Sequence, residues 1–94
     1  MTRNSPEAHP LLVGDLALAK GFHEERYRTL IGLLVDQRRS LGLSQSALAD
    51  RLGTHQQFVS RYETGERRLD VIEFHDIALR LELDVVTLIA SIAR

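Results

Sequence analysis

Apolar side chains recur at three- and four-residue spacing from Tyr27 onward. Tyr27, Leu30, Ile31, Leu34, Val35 and Leu41 share one side of a helix, and no proline interrupts them. The spacing predicts a long helix from Phe22 to about Ser40, stopped by Gly42. Ser44 stands where an N-cap belongs, ahead of Leu48, Ala49 and Leu52, so a short second helix follows and ends at Gly53. Thr54 with Gln57 three positions on has the form of a capping box, which predicts a third helix with Phe58, Val59 and Tyr62 on its apolar positions and Gly65 at its end. Asp70 and Glu73 repeat the box ahead of Ile72, Phe74, Ile77, Ala78 and Leu81, and Asp84 caps a last helix carrying Val85, Val86, Leu88, Ile89 and Ile92. No strand is required. Five helices with brief connections predict an all-α domain.

The start of the chain breaks this pattern. Asn4, Ser5, Pro6 and Pro10 oppose regular structure, and Gly14 and Asp15 interrupt the apolar residues that follow. The acid, and Lys20 where small cleavage-site residues should stand, argue against a secretory signal. Residues 1–22 are expected to be an extension and residues 23–94 the domain. The extension is either an arm, whose Leu11, Leu12 and Leu16 pack on the body or on a second subunit, or a tail without a role.

Length and composition narrow the class. Ninety-four residues hold one hydrophobic core. The absence of cysteine excludes a disulfide scaffold, a Cys-zinc finger and thiol catalysis, and fits a reducing cytoplasm. At 44% apolar and 27% charged, with no apolar run approaching membrane-spanning length, the chain reads as a soluble globular domain. Its formal net charge of −1 conceals a partition. Residues 1–36 carry four basic and five acidic side chains, 37–68 six and three, and 69–94 two and five, giving −1, +3 and −3. Fields act locally, so the positive middle third can attract a polyanion although the chain as a whole is acidic. Eleven of the twelve cations are arginine, whose planar fork suits phosphates and guanine edges.

Residues 45–64 have the pattern of two helices crossing steeply. Ala49 is small at the crossing, Gly53 supplies the turn, and Leu48, Leu52, Val59 and Tyr62 close the wedge. The residues left outside the second of these helices are His55, Gln56, Gln57, Ser60 and Arg61. A helix of this diameter enters the major groove, where Gln bonds adenine N6 and N7 and Arg bonds guanine O6 and N7 in a bidentate way.

Leu43-Ser-Gln-Ser-Ala-Leu-Ala, Leu52-Gly-Thr-His-Gln-Gln, Val59-Ser-Arg-Tyr-Glu-Thr-Gly and Ile77-Ala-Leu-Arg-Leu resemble the helix-turn-helix family of lambdoid phage repressors, Cro proteins and bacterial Xre-type relatives. The resemblance runs from about Tyr27 to Ile92. It implies a five-helix repressor-like domain and a cytoplasmic transcriptional regulator, bacterial or phage-type, that binds double-stranded DNA as a homodimer on a pseudo-palindromic operator. By resemblance Gln45 is the phosphate-bonding glutamine, Gln56 and Gln57 are the base-reading pair, and His55, Ser60 and Arg61 contact bases or flanking phosphates. Thr64, Arg67 and Arg68 fall in the loop that lies along the DNA backbone in relatives. Arg38 and Arg39, at the end of the first helix, are further phosphate candidates. Glu63 is expected to hold the following loop, through Arg38 or Arg39.

The last helix is apolar over most of its circumference, which suggests a dimer interface of Val85, Val86, Leu88, Ile89 and Ile92. A rival reading is an antitoxin-like or protein-interaction module, which would use the acidic, apolar C-terminal side to bind a protein partner. Four histidines at positions 9, 23, 55 and 75 have no metal-ligand spacing, and no nucleophile, base and orienter occur together. Neither a metal, a cofactor nor an enzymatic activity is therefore expected. A separate effector domain does not fit in this length, so a small-molecule effector is not expected either.

Overall fold

The computed structural model describes residues 20–93, with side chains from Glu25 onward. Leu11, Leu12 and Leu16 lie outside the described residues. Five helices follow one another: α1 (Lys20–Ser40), α2 (Gln45–Leu52), α3 (Gln56–Thr64), α4 (Val71–Arg80) and α5 (Val85–Ile92). No strand occurs among the described residues.

Most boundaries have the predicted local cause. Ser44 Oγ accepts from the Ala47 N–H at 3.0 Å, and Gly53 closes α2 in the left-handed region at φ 70°. At α4 the Asp70 carboxylate accepts from the Glu73 N–H at 2.8 Å while Glu73 accepts from the Asp70 N–H at 3.0 Å, so the capping box is complete. Asp84 caps α5 through the Thr87 N–H.

The start of α3 corrects the sequence reading. Thr54 is not its cap: the Thr54 N–H donates to the Ala49 carbonyl at 2.9 Å and so belongs to the turn that ends α2. His55 takes the cap position with extended backbone and no side-chain hydrogen bond. The stop after α4 has no glycine at all. Glu82 occupies the left-handed region at φ 62°, where the Glu82 and Leu83 N–H groups bond the Leu79 and Ala78 carbonyls.

One core joins the helices. Leu34 from α1, Leu48 and Ala49 from α2, Val59 and Tyr62 from α3, Ile77, Ala78 and Leu81 from α4 and its end, and Leu88 from α5 are all buried. Polar side chains tie the helix ends across this core. Gln37 Nε2 donates to the Leu81 carbonyl, Arg26 Nε to the Ile92 carbonyl, and Arg51 and Arg80 each donate to the other's backbone oxygen. These bonds supply donors to carbonyls that helix C-termini leave unsatisfied.

Two predicted apolar contacts differ. Ile72 is 66% exposed, because α4 buries the face of Phe74, Ile77 and Ala78 instead. Leu88 is 6% exposed and packs in the core, so it is unavailable to a second subunit. Val86 and Ile89 are the exposed large apolar side chains of α5, at 75% and 45%, while Val85 and Ile92 are half-buried.

Candidate nucleic-acid interface

The α2–α3 pair is built around small and branched residues. Ala49, 1% exposed, lets the two helices approach, and Leu48 and Val59 are sealed beneath the crossing. With Val59 and Tyr62 turned inward, His55, Gln56, Gln57 and Arg61 are exposed and Ser60 is half-exposed. The face therefore consists of hydrogen-bonding side chains carried on a helix whose inner side is rigidly packed.

A polar relay orients that face from within. Arg38 Nε and Nη2 donate to the two Glu63 carboxylate oxygens at 2.7 and 3.0 Å, and Nη1 donates to the Leu43 carbonyl at 2.7 Å. Both side chains are nearly buried, at 8% and 7% exposure. The hydrogen bond and charge of Glu63 raise the Arg38 pKa further, so Arg38 stays cationic. Glu63 Oε1 also accepts from Gln45 Nε2 at 2.9 Å, and Gln45 Oε1 accepts from Gln56 Nε2 at 2.8 Å.

The direction of each amide follows from the carboxylate. Both Glu63 oxygens accept from Arg38, so Gln45 presents its amide nitrogen to Oε1 and its oxygen to Gln56. Gln56 then spends one N–H on Gln45 and keeps its second N–H and its Oε1 for a partner outside. One donor and one acceptor on a planar amide is the pattern that adenine N7 and N6 require.

A family profile described as Helix-turn-helix matches residues 34–88. A solved structure, an XRE-family like protein from Pseudomonas syringae pv. tomato str. DC3000, is similar with a TM-score of 0.76 and 43% identity, covering 80% of this chain and 92% of that one. The chain belongs to the Xre-type helix-turn-helix family. That family is one of DNA-binding regulators. No curated protein matches the chain. No helix among the described residues is long and apolar enough to cross a membrane.

In this Xre-type domain the remaining predicted site residues fall into distinct settings. Gln57, released from the expected capping role by the shift of the cap to His55, is exposed beside Gln56. Arg61 is 64% exposed at the side chain and only 3.8 Å from Glu66, a surface pair too weak to hold it. The Thr64 hydroxyl donates to the Arg61 carbonyl, and Arg39 is exposed on the last turn of α1.

Arg38 is the correction. Buried against Glu63 and the Leu43 carbonyl, it lies inside the helix-turn-helix unit and not on the surface where a phosphate contact was expected. The choice between Arg38 and Arg39 as the partner of Glu63 is thereby decided.

The loop after α3 is fastened at two points. Arg67 donates to both Glu73 oxygens at 2.9 and 2.8 Å and lies 4.9 Å from the Phe58 ring centre. Arg68 lies 4.0 Å over the Tyr27 ring, and the Tyr27 hydroxyl accepts from the Leu69 N–H at 3.1 Å. Sequence reasoning missed Tyr27, Phe58 and Glu73 as supports of this loop. Tyr27 and Leu69 stand 42 positions apart, and no local pattern signals such a contact. Glu73 was recognised only for its cap, which uses an oxygen it shares with Arg67.

Proposed function

We propose that the chain is a sequence-specific transcriptional regulator that reads a pseudo-palindromic operator through the major groove as a homodimer, in the cytoplasm. The observation that carries this reading is the fixed amide of Gln56. An exposed glutamine would otherwise have to be ordered on binding, whereas the Arg38–Glu63–Gln45 relay presents its free donor and acceptor in advance.

Gln56, Gln57 and Arg61 read bases, with His55 and Ser60 at the margins of the same face. Gln45, which has an N–H left after bonding Glu63, contacts the backbone with Thr64, Arg39, Arg67 and Arg68. Backbone contacts supply affinity and register, and base contacts supply discrimination. The second copy is recruited by the exposed apolar side chains Val86 and Ile89 of α5, which would set the two reading helices about one DNA turn, ~34 Å, apart.

The test is selection from a pool of random duplexes at near-physiological salt, followed by the Gln56→Ala variant on the recovered site. A two-fold-symmetric motif is expected. Gln56→Ala should cost about 1–3 kcal/mol on that motif and little on unselected DNA. Equal losses on both would remove base reading from Gln56, and no enrichment by the folded protein would favour the protein-interaction module instead.

A further inference from the structure

A cleft of ≈ 420 Å³ lies between α1 and the loop that follows α3, away from the side chains assigned to base reading. Its volume falls within the range of small-molecule sites, and its walls have their usual make-up: apolar and aromatic surface with a few convergent polar groups. Ile31, Val35 and the Tyr27 ring supply the apolar part, and Tyr62, Thr64 and Arg68 form the opposite side.

Two features of this cleft have no structural purpose that the packing explains. Tyr62 is fully buried, yet its hydroxyl has no hydrogen-bond partner among the described residues. A buried phenol normally finds one, and burial here holds the group neutral by pushing its pKa well above the ordinary tyrosine value. Gly32 sits in the interior of α1 with ordinary helical backbone, where glycine is a poor helix former. A Cβ added there would meet nothing within 4 Å, so no close contact demands its absence. What the missing side chain does is leave the floor of the cleft open.

The charges give the cleft a direction. Arg28, Gly32 and Asp36 are spaced by four residues along one side of α1, and all three line the cleft. Arg28 and the nearby Arg68 make one end positive, while Asp36 makes the other negative, about 12 Å away along the helix axis. Glu63 adds no free charge, because Arg38 neutralises it.

We propose that this cleft binds a flat organic anion, an aryl carboxylate with a hydrogen-bond donor at its far end. The carboxylate meets Arg28 and Arg68, the ring lies over Gly32 against Ile31 and Tyr27, and the far donor meets Asp36. The helix-turn-helix domain would thus carry an effector site of its own. Because Thr64 and Arg68 also belong to the proposed DNA-backbone set, an occupied cleft withdraws them from DNA; this consequence rests on the proposed function, whereas the ligand site does not.

The test titrates 4-hydroxycinnamate into the isotopically labelled full chain without DNA and follows the amide resonances by NMR, with the methyl ester of the same acid as a neutral control. Saturable shifts are expected at Gly32, Thr64 and Gly65 with the acid and not with the ester. Gly32→Leu should abolish them while raising the melting temperature, since it fills the floor and improves the helix. Absence of saturable cleft shifts with 4-hydroxycinnamate up to millimolar concentration, or shifts that survive Gly32→Leu, would overturn the site. A separate measurement on the selected operator should show roughly fivefold or greater weakening of DNA binding at saturating acid. Unchanged DNA affinity with the NMR shifts present would overturn the coupling alone.

Discussion

Glu63 Oε1 accepts from both Arg38 and Gln45, so one carboxylate balances a buried cation and aims a glutamine at the same time. Removing its charge separates these roles. Glu63→Gln leaves the Arg38 cation buried without a counter-charge and should lower stability by about 3–5 kcal/mol in urea unfolding. A double change, Arg38→Met with Glu63→Leu, removes both charges from the interior and should recover most of that stability. It should still bind the operator more weakly than the native chain, because Gln45 and Gln56 lose the group that orients them. Native-like operator affinity in that double variant would show that the relay is a stability device only. At this scale the sequence was partly legible. The exposed set on α3 followed from which positions are apolar, whereas Arg38 and Glu63, 25 residues apart, pair through space and give no local sign of it.

Among the elements, the starts of helices were readable because a cap is a contact between residues three apart. Ser44, Asp70 and Asp84 each act where a short polar side chain precedes an apolar run. Thr54 has the same pattern and does not cap, because the left-handed Gly53 commits the next N–H to closing α2. Two overlapping signals competed, and the closing of α2 took the residue. The α4 start also makes a pH prediction. Hydrogen bonds from Arg67, and then from the Asp70 N–H, hold the Glu73 carboxyl below the usual carboxylate range. Its folded pKa is therefore lower than its unfolded one, so its stabilisation is present above the unfolded value of about 4.3 and is lost as pH falls through the folded value. Melting temperatures of the native chain and Glu73→Gln should differ at neutral pH and converge in acid, below about pH 4. A difference that persists undiminished in acid would exclude the ionised carboxylate as its source.

For the whole molecule, the question is what the exposed apolar side chains of α5 do. A helix that is apolar on most sides needs burial on more than one, and Leu88 is the side chain that the core takes. Val86 and Ile89 remain exposed and form the surface proposed for a second copy. Val86→Asp should leave the monomer folded and shift sedimentation toward the monomer, with operator binding becoming weaker and dependent on protein concentration in the manner of independent half-site binding. An unchanged sedimentation profile would move the interface elsewhere. The charge partition is also a property of the whole: the positive residues 37–68 contain α3 and the loop after it, and the acidic residues 69–94 contain α4 and α5.

By itself the sequence determined the helix class, the number of helices among the described residues, most of their ends and the residues facing out from α3. Each of these depends on spacing within a turn or two, which the chain writes locally. Only the tertiary structure decided that Arg38 is interior, that Gln56 is held by Gln45, that Leu88 belongs to the core, and that Tyr27 and Glu73 fasten the loop after α3. Those are contacts between helices, set by how the helices pack, and the order of residues along one helix does not contain them.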